Sequence, residues 1–414
     1  MTERRILLVD ADAFFVAVAR RVDPEGAGRA TLLIVGGSPD SRGVVCSASY
    51  EARQFGVRSA MPLAHARRLC PEATFVPVPR GECSRMSRQI RRTLERHAPV
   101  VEGASIDEWY LDLSGTERMH HDEPLATTAH RIRDAVRVDT GMTVSIGGGT
   151  SRFVAKLAVE RAKPVPGSGA DGVCIVAAGS EREFLRGFAL GELPQVGPAF
   201  RERLERFGLR TVPDLLSQPA EAIERWLGVR AARWLLSRAN GIDDTPVVPR
   251  DLPRQVSREE TFAEDIDGDD ALEHELLALV TRAAADLRGQ SLAARTITVK
   301  LRDADFRTRS ARQSLPAPIV ADRPAFQVAR TLLHRLRRQR RVPARLLGVA
   351  LSSLSAPDDA AQLGLFDVDA SNGGGSIEET ARDRALAAAI DRLRGKFGTD
   401  AIGPALLAAR RRTR

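Results

Sequence analysis

The sequence predicts a multidomain α+β protein, and three observations lead to this fold class. The chain has 414 residues, which is two to four times the usual length of one domain. Short apolar runs and helical stretches are mixed through about the first 170 residues, as in α+β domains. Residues 181–240 then contain helical segments, and a second mixture of strands and helices follows residue 253.

The elements of the first part follow from its residue pattern. Residues 5–9 and 31–35 are apolar runs that end at Asp10 and at Gly36-Gly37, which is typical of buried strands. The pattern further predicts helices at 14–21, 84–97 and 124–138, and strands at 104–113 and 142–147. The last of these strands ends in three consecutive glycines.

The remainder of the chain divides at its prolines and glycines. Residues 181–240 form short helices that these residues interrupt, and residues 245–253 contain three prolines, which indicates an extended linker. The pattern then predicts a helix at 271–288, a strand at 295–302, a helix at 324–341 and a strand at 346–354. We expect residues 355–375 to be flexible and an amphipathic helix to span 377–394.

Composition and charge exclude some classes of protein. The net charge of +8 favours a polyanionic partner. No apolar run is long enough to cross a membrane, and the first residues lack a signal-peptide pattern. The four cysteines show neither metal-ligand spacing nor a disulfide framework. These observations predict a soluble, reduced, cytoplasmic protein with no membrane partner.

Three carboxylates stand at apolar strands. Asp10 ends one predicted strand, and Asp107 and Glu108 lie within another. Carboxylates in such places are costly to bury unless they bind cations, and three of them could hold two magnesium ions for phosphoryl transfer. Adjacent residues on a regular strand point to opposite faces, so Asp107 and Glu108 converge only if the strand bends or begins there. A purely structural role for the pair stays open at this point.

A second group of residues suits a phosphate chain. Tyr50 and Arg53 are three residues apart, on one face of a helix, and Arg binds phosphate in a bidentate manner. Lys163, before Pro164, would add a point charge to the same phosphates. The alternative for Tyr50 and Arg53 is a solvated helix face.

Together these motifs resemble those of the Y-family DNA polymerases. The resemblance is carried by Val9–Phe15, Ala48–Arg53 and Ser105–Asp112, in that order and spacing. It continues through Ala162–Pro164 and through Leu193–Gly197, which is similar to the family's helix-hairpin-helix. Ser257–Phe262 and Ala304–Thr308 resemble the little finger of the bacterial DNA polymerase IV branch. The resemblance therefore covers roughly residues 5–366.

The resemblance implies a role for each matching residue. Asp10, Asp107 and Glu108 would be the catalytic acids, and with the main-chain carbonyl of Ala11 they would bind two Mg²⁺ ions. Phe15 would be the steric gate that rejects a ribose 2′-hydroxyl. The other implied nucleotide-binding residues are Phe14, Ser47, Tyr50, Arg53 and Lys163. The chain departs from the family pattern at Ala19, Trp109 and Gln195, where Glu, a small residue and Gly are usual.

The resemblance also implies a right-hand polymerase with distinct domains. The palm would comprise residues 1–12 and 79–170, the fingers 13–78, and a helix-hairpin-helix thumb 171–244. After the linker at 245–253, the little finger would comprise 254–354. Residues 355–414 would be a flexible tail with a C-terminal helix.

Three further stretches bear on partners. Gln362-Leu363-Gly364-Leu365-Phe366 resembles the bacterial sliding-clamp-binding peptide, so Gln362, Leu363, Leu365 and Phe366 are the expected contacts. Residues 330–345 hold seven arginines and no acid, for which we prefer contact with the DNA backbone over a solvated face. The acidic residues 265–270 lack calcium-loop spacing, so we assign them no metal.

The function that the sequence predicts is template-directed DNA synthesis past damaged bases, with low fidelity and low processivity. The expected partners are primer-template DNA, deoxynucleoside triphosphates and the clamp, and we expect a monomer associated with the nucleoid. Two alternative functions fit these residues less well. A catalytically silent DNA- or clamp-binding scaffold would be expected to have lost an acid, and a two-metal nuclease has no use for Tyr50, Arg53 and Lys163.

Overall fold

The computed structural model describes residues 4–164, 169–249, 252–357, 379–398 and 401–404. The chain divides into two compact units, residues 1–250 and 251–414, and this boundary lies inside the predicted linker. Both units combine helices with β-sheet, which confirms the predicted α+β multidomain class. Within the described residues, none of the helices combines the length and the apolar character needed to cross a membrane.

The first unit contains eight strands and eleven α-helices within its described residues. In chain order they are β1 (Ile6–Ala11), α1 (Phe14–Val22), β2 (Leu33–Val35), β3 (Ser47–Ala48), α2 (Tyr50–Gln54), α3 (Leu63–Leu69), β4 (Thr74–Val76), α4 (Arg80–Leu94), β5 (Val100–Gly103), β6 (Glu108–Asp112), α5 (Leu125–Thr140), β7 (Val144–Gly149), α6 (Arg152–Ala162), β8 (Val173–Ile175), α7 (Glu181–Leu185), α8 (Pro198–Glu205), α9 (Val212–Leu216), α10 (Ala220–Leu227) and α11 (Val229–Ala239). Two 3₁₀ turns lie at Glu117–His120 and Leu190–Glu192.

A five-stranded sheet with strand order β5-β6-β1-β7-β8 forms the centre of this unit. Strand β1 pairs antiparallel with β6 and β7, and β8 pairs parallel with β7. Leu7 and Val9 pack with α4 and α5 on one face, and Ile6 and Leu8 pack with α6 on the other. Because side chains alternate along a strand, Asp10 lies on the α6 face.

Gly147 allows α6 to lie against the sheet. A Cβ atom at this residue would come within 2.0 Å of the Val159 nitrogen and 2.4 Å of the Ala155 carbonyl oxygen. A larger residue would therefore push α6 away from β7. This is the physical reason for one of the three consecutive glycines, and the close approach carries the basic residues of α6 to the end of β1.

Two smaller assemblies complete the first unit. Strands β3, β2 and β4 form a three-stranded sheet whose core includes Ile34, Ala52 and Leu63. Helices α7 to α11 form a separate helical core. Strand β8 lies beyond the palm limit of residue 170 that the sequence suggested, so the central sheet extends past that limit.

The second unit is a four-stranded antiparallel sheet with helices on one face. Its elements are β9 (Gln255–Ile266), α12 (Asp269–Gly289), β10 (Ala293–Asp303), β11 (Thr308–Ile319), α13 (Asp322–Gln339), β12 (Ala344–Ser355) and α14 (Ala381–Phe397). The strand order is β11-β10-β12-β9, and inward residues such as Ile297, Val299 and Leu347 pack against α12 and α13. Strands β9 and β11, at the two edges, were not predicted as strands from the sequence.

Several arginines of residues 330–345, at and after the end of α13, are paired with acids of their own unit, and the burial of Arg337 argues against the predicted DNA contact for that residue. Arg337 is 3% exposed, and its guanidinium donates to Asp267 and Asp269. Arg341 also binds Asp269, and Arg340 binds Asp303 and Asp305. Acidic residues within 265–270 thus form ion pairs with arginines of the same unit. The sequence analysis did not predict these ion pairs. Arg335 and Arg338 remain exposed.

The C-terminal helix begins four residues later than predicted and is held by a polar contact. Arg288 of α12 donates to both carboxylate oxygens of Asp391 and, through Nη1, to Asp322. The Glu379 carboxylate accepts from the main-chain nitrogens of Val320 and Ala321. The helix is therefore part of the second unit.

Candidate active site

Asp10 and Glu108 form the centre of the site, and the sheet brings them together. They are direct partners in the antiparallel register of β1 and β6. Side chains opposite each other in such a pair lie on the same face, and like charges there repel. Ser145 of β7 is the partner of Asp10 on its other side. The two carboxylates therefore lie next to each other on the face that α6 covers.

Asp107 directly precedes β6, which begins at Glu108. The main-chain nitrogen of Ala11 donates to the Asp107 carbonyl oxygen at 2.9 Å, so the Asp107 backbone lies beside the end of β1. Asp107 is thus part of the turn between β5 and β6, outside the regular strand, and the alternation of side chains along a strand does not fix the direction of its carboxylate. Its carboxylate accepts a hydrogen bond from the Ser105 hydroxyl.

Two lysines neutralise these acids: Lys156, within α6, and Lys163, directly after its last residue. Lys163 Nζ lies 3.2 Å from an Asp10 carboxylate oxygen and 2.8 Å from Glu160. Lys156 Nζ donates to Glu108 Oε1. Burial opposes the charge of Lys163, but Asp10 and Glu160 raise its pKa above the ordinary value. Lys156 was missed from the sequence; its position seven residues before Lys163, two helical turns away, was the available signal.

Burial dominates the acidity of Asp10. Its side chain is 11% exposed, and desolvation raises the pKa of its carboxyl from 3.8 to about 7. Lys163 lowers this pKa, the Glu108 carboxylate raises it and Lys156 lowers it. Burial therefore disfavours the charged form of this carboxylate, and the two lysines offset that effect only in part.

Tyr50 and Arg53 lie beside the same acids. Ser49 caps the short helix α2, because its hydroxyl accepts from the Ala52 main-chain nitrogen. The guanidinium of Arg53 lies 4.9 Å from the centre of the Tyr50 ring. Burial raises the pKa of the Tyr50 hydroxyl, and the nearby Asp12 carboxylate raises it further. The helix face that the sequence left open is therefore turned toward the acids at the end of β1.

The two aromatic residues at the start of α1, Phe14 and Phe15, differ in burial. Phe14 is 1% exposed and packs in the core of the central sheet, so its side chain does not line the site. Phe15 is half-buried, and the two rings meet edge to face at 5.5 Å. Ser47 is buried in β3.

The fit of divalent cations to this site rests on its donor chemistry. Asp10, Asp107, Glu108 and the Ala11 carbonyl offer oxygen ligands, which Mg²⁺ prefers. Within the described ranges, no three acidic, His or Cys side chains converge as a ready metal cluster. Ser105 donates to Asp107, and Lys156 donates to Glu108. The acid Asp12 was also missed from the sequence; it is buried, with one carboxylate oxygen on the Ser145 hydroxyl at 2.7 Å and the other without a partner.

The three departures from the family pattern have clear positions. Trp109 is 1% exposed in the core that α4 and α5 cover, on the face opposite the acids, and Ala19 is buried beside β2. Gln195 has a φ of 73°, a conformation that glycine adopts more easily. The pentad Gln362–Phe366 lies outside the described residues.

Comparison with known proteins connects this geometry to a family. Residues 9–160 match the model of the impB/mucB/samB family, and residues 253–365 match the model of that family's C-terminal domain. The DNA polymerase IV of Dehalococcoides mccartyi is 35% identical over 402 residues, covering 97% of both chains. The DNA polymerase IV of Halorhodospira halophila is 39% identical over 354 residues, covering 86% of this chain and 96% of the relative.

Solved structures of Y-family DNA polymerases resemble this fold. A Y-family DNA polymerase chimera, Dbh-Dpo4(243-245)-Dbh, superimposes with a TM-score of 0.74 at 25% identity. An insertion ternary complex of Dbh DNA polymerase gives a TM-score of 0.60 at 26% identity. Both matches cover 84% of this chain and 98% of the other.

Proposed function

The chain belongs to the Y family of DNA polymerases, in its bacterial DNA polymerase IV branch, and from this membership we propose a role for each residue of the site. The function is template-directed DNA synthesis past damaged template bases, with low fidelity and low processivity. The observation that carries the residue assignment is the pairing of Asp10 with Glu108 beside Lys163 and Tyr50.

Asp10, Asp107, Glu108 and the Ala11 carbonyl would hold two Mg²⁺ ions. Such ions neutralise the charge that develops on the phosphoryl oxygens and lower the pKa of the attacking hydroxyl. Glu108 would also help to bring the primer 3′-hydroxyl in line with the α-phosphate. The work of these side chains is positioning and charge neutralisation.

The triphosphate of the incoming nucleotide would lie between α2 and Lys163. The Nε of Arg53 donates to the Ala48 carbonyl at 3.0 Å, and the guanidinium lies beside the Tyr50 ring. Lys163, whose ammonium lies 3.2 Å from Asp10, would bind the phosphates of the nucleotide from the same side of the site. Ser47, buried in β3, supports this segment rather than offering a large contact surface.

Phe15 would select the sugar. It is the half-buried member of the aromatic pair, and it lies at the start of α1, directly after the strand that carries Asp10. A flat ring beneath the sugar leaves no room for a 2′-hydroxyl. Phe14 is buried in the core of the central sheet, which favours Phe15 over Phe14 as the gate.

In the second unit, DNA would lie on the open face of the four-stranded sheet. Lys300, Arg302 and Arg312 point away from the face that packs against α12 and α13, since Val299, Leu301 and Ala311 point into that core. Lys300 binds Glu259 of β9 on this face, and other outward neighbours are small or carry hydroxyls, such as Thr298, Ser310 and Gly348. This polar, basic surface suits phosphate contact without base readout.

The domain limits and the clamp contact remain proposals. The palm would be residues 1–12 and 79–170 with β8 added, the fingers 13–78, the thumb the remaining residues to 244, and the little finger 254–354. Gln362, Leu363, Leu365 and Phe366 would bind the bacterial sliding clamp. We propose that the enzyme is a monomer and lies in the cytoplasm, with the nucleoid.

Primer extension by the purified chain tests the function. With Mg²⁺ and a single deoxynucleotide, the primer should grow by one residue opposite the complementary template base, and extension should continue past a damaged base when all four nucleotides are present. A silent scaffold would bind the same DNA without extending it.

A further inference from the structure

Lys156 has no role in the reaction as described so far, yet it binds one of the catalytic acids. It lies in the middle of α6, and its ammonium donates to Glu108 Oε1. The two side chains are 27% and 25% exposed, so solvent and small ions can reach the contact.

This contact belongs to a row of three cations along the α6 segment. Arg152 binds Glu102 of β5, Lys156 binds Glu108 of β6 and Lys163 binds Asp10 of β1. The first pair is nearly buried and also carries a hydrogen bond to the Pro246 carbonyl, which is typical of a structural contact. The other two pairs occupy the carboxylates that divalent cations need.

A carboxylate oxygen that accepts from an ammonium group is not free to bind a metal ion at the same time. Asp10 and Glu108 repel each other across β1 and β6, so the acids need a cation even before any substrate arrives. Lys163 has a second partner in Glu160 and a further role on the triphosphate, whereas Lys156 faces Glu108.

We propose that Lys156 is a positioning residue: it holds and neutralises Glu108 in the metal-free enzyme and is displaced when a divalent cation binds there. This inference rests on the proposed metal-binding role of Glu108. Lys156 therefore has two effects that oppose each other. In the substrate-free enzyme it holds the Glu108 carboxylate in place and reduces its repulsion with Asp10. It also competes with the metal ion for Glu108.

The test is the affinity of Mn²⁺ for the metal-stripped full-length enzyme, measured from the free-ion signal in electron paramagnetic resonance without nucleotide. Replacing Lys156 by Gln should tighten Mn²⁺ binding about two- to fivefold, the value of one partly exposed ion pair. Lys156→Arg, which keeps the charge, should stay near the parent affinity. Lys396→Gln removes the same charge from the exposed face of α14 and should also leave Mn²⁺ affinity unchanged.

A turnover measurement provides a second readout. The Mg²⁺ concentration that gives half-maximal primer extension should fall in Lys156→Gln by the same factor as the Mn²⁺ dissociation constant. Unchanged or weaker Mn²⁺ binding by K156Q, in a variant that melts like the parent, would overturn the proposal. Failure of the underlying metal assignment would be distinct, because Glu108→Gln would then bind Mn²⁺ as well as the parent does.

Discussion

Asp10 of β1 and Glu108 of β6 face each other across an antiparallel strand pair, with both carboxylates on the side that α6 covers. Two like charges at such a position destabilise the sheet unless cations compensate. Lys163 and Lys156 provide this compensation. The fold therefore maintains a costly arrangement of charge at the end of its central strand, and this arrangement is what a cation-dependent phosphoryl transfer requires.

The first prediction concerns the stability of the metal-free protein with and without the Asp10 charge. Burial raises the folded-state pKa of Asp10 from 3.8 to about 7, so the folded protein holds this proton more tightly than the unfolded chain. The resulting stability is fully present below pH 3.8 and is lost as the pH rises through about 7. Asp10→Asn should therefore raise the melting temperature at pH 8 by about 2–4 °C, measured with a chelator present.

At pH 5 the same substitution should change the melting temperature little, because parent Asp10 is then protonated in the folded state. An equal shift in melting temperature at both pH values, or a lower melting temperature at pH 8, would contradict the conclusion that burial of the charged Asp10 destabilises the protein.

The second prediction concerns sugar selection by Phe15. Removing the ring in Phe15→Ala should raise the relative use of ribonucleotides by about 10- to 200-fold, the range that a small steric difference provides. The measurement is single-nucleotide insertion with matched ribo- and deoxynucleotides, and deoxynucleotide insertion by the same variant is the internal control. Unchanged discrimination would place the gate elsewhere, and Phe14 would be tested next.

The third prediction separates the two basic surfaces of the second unit. Arg302 and Arg312 lie on the open sheet face, whereas Arg335 and Arg338 lie on α13, on the other side of the sheet. Replacing Arg302 and Arg312 by Gln should make the logarithmic salt dependence of DNA binding shallower by about 1–2 units. The matched double replacement of Arg335 and Arg338 should leave the slope close to that of the parent; the reverse result would move the DNA contact to α13.

The fourth prediction concerns the clamp. Each apolar side chain buried in a clamp cleft contributes about 1.5–3 kcal/mol before the cost of ordering the peptide. Leu365→Ala with Phe366→Ala should therefore abolish stimulation by the clamp and leave clamp-free extension of short primers normal. Leu386→Ala with Phe397→Ala is a matched control, since these residues are 57% and 63% exposed on α14. If the control lost stimulation and the pentad variant kept it, α14 would be the clamp contact.

The central strands and helices were predictable because their residues alternate or repeat with a clear period. Strands β9 and β11 were not, for a physical reason. Both are edge strands: β9 carries polar residues at most positions, and β11 contains Pro316 and Pro318, which edge strands tolerate. Neither segment shows the alternation that predicts a strand.

In the site, the sequence supplied the types of residue but not their contacts. The order of the motifs pointed to Asp10, Asp107 and Glu108, yet the sequence did not show that β6 begins at Glu108 and pairs it with Asp10. The sequence could not reveal that Lys156 binds Glu108, because this contact requires the close approach of α6 at Gly147. In the same way, no periodicity separates Arg337, buried against Asp269, from the exposed Arg338.

The most direct test of the catalytic assignment is single-turnover insertion of one deoxynucleotide by Asp107→Ala and by Glu108→Ala. Each variant should lose at least about 10²- to 10³-fold in rate at saturating nucleotide, since a charge-stabilising group is removed, while DNA affinity and melting temperature stay near the parent values. Asp112→Asn, which changes another acid of the same strand, should keep the parent rate. Insertion at the parent rate by either alanine variant would contradict the account.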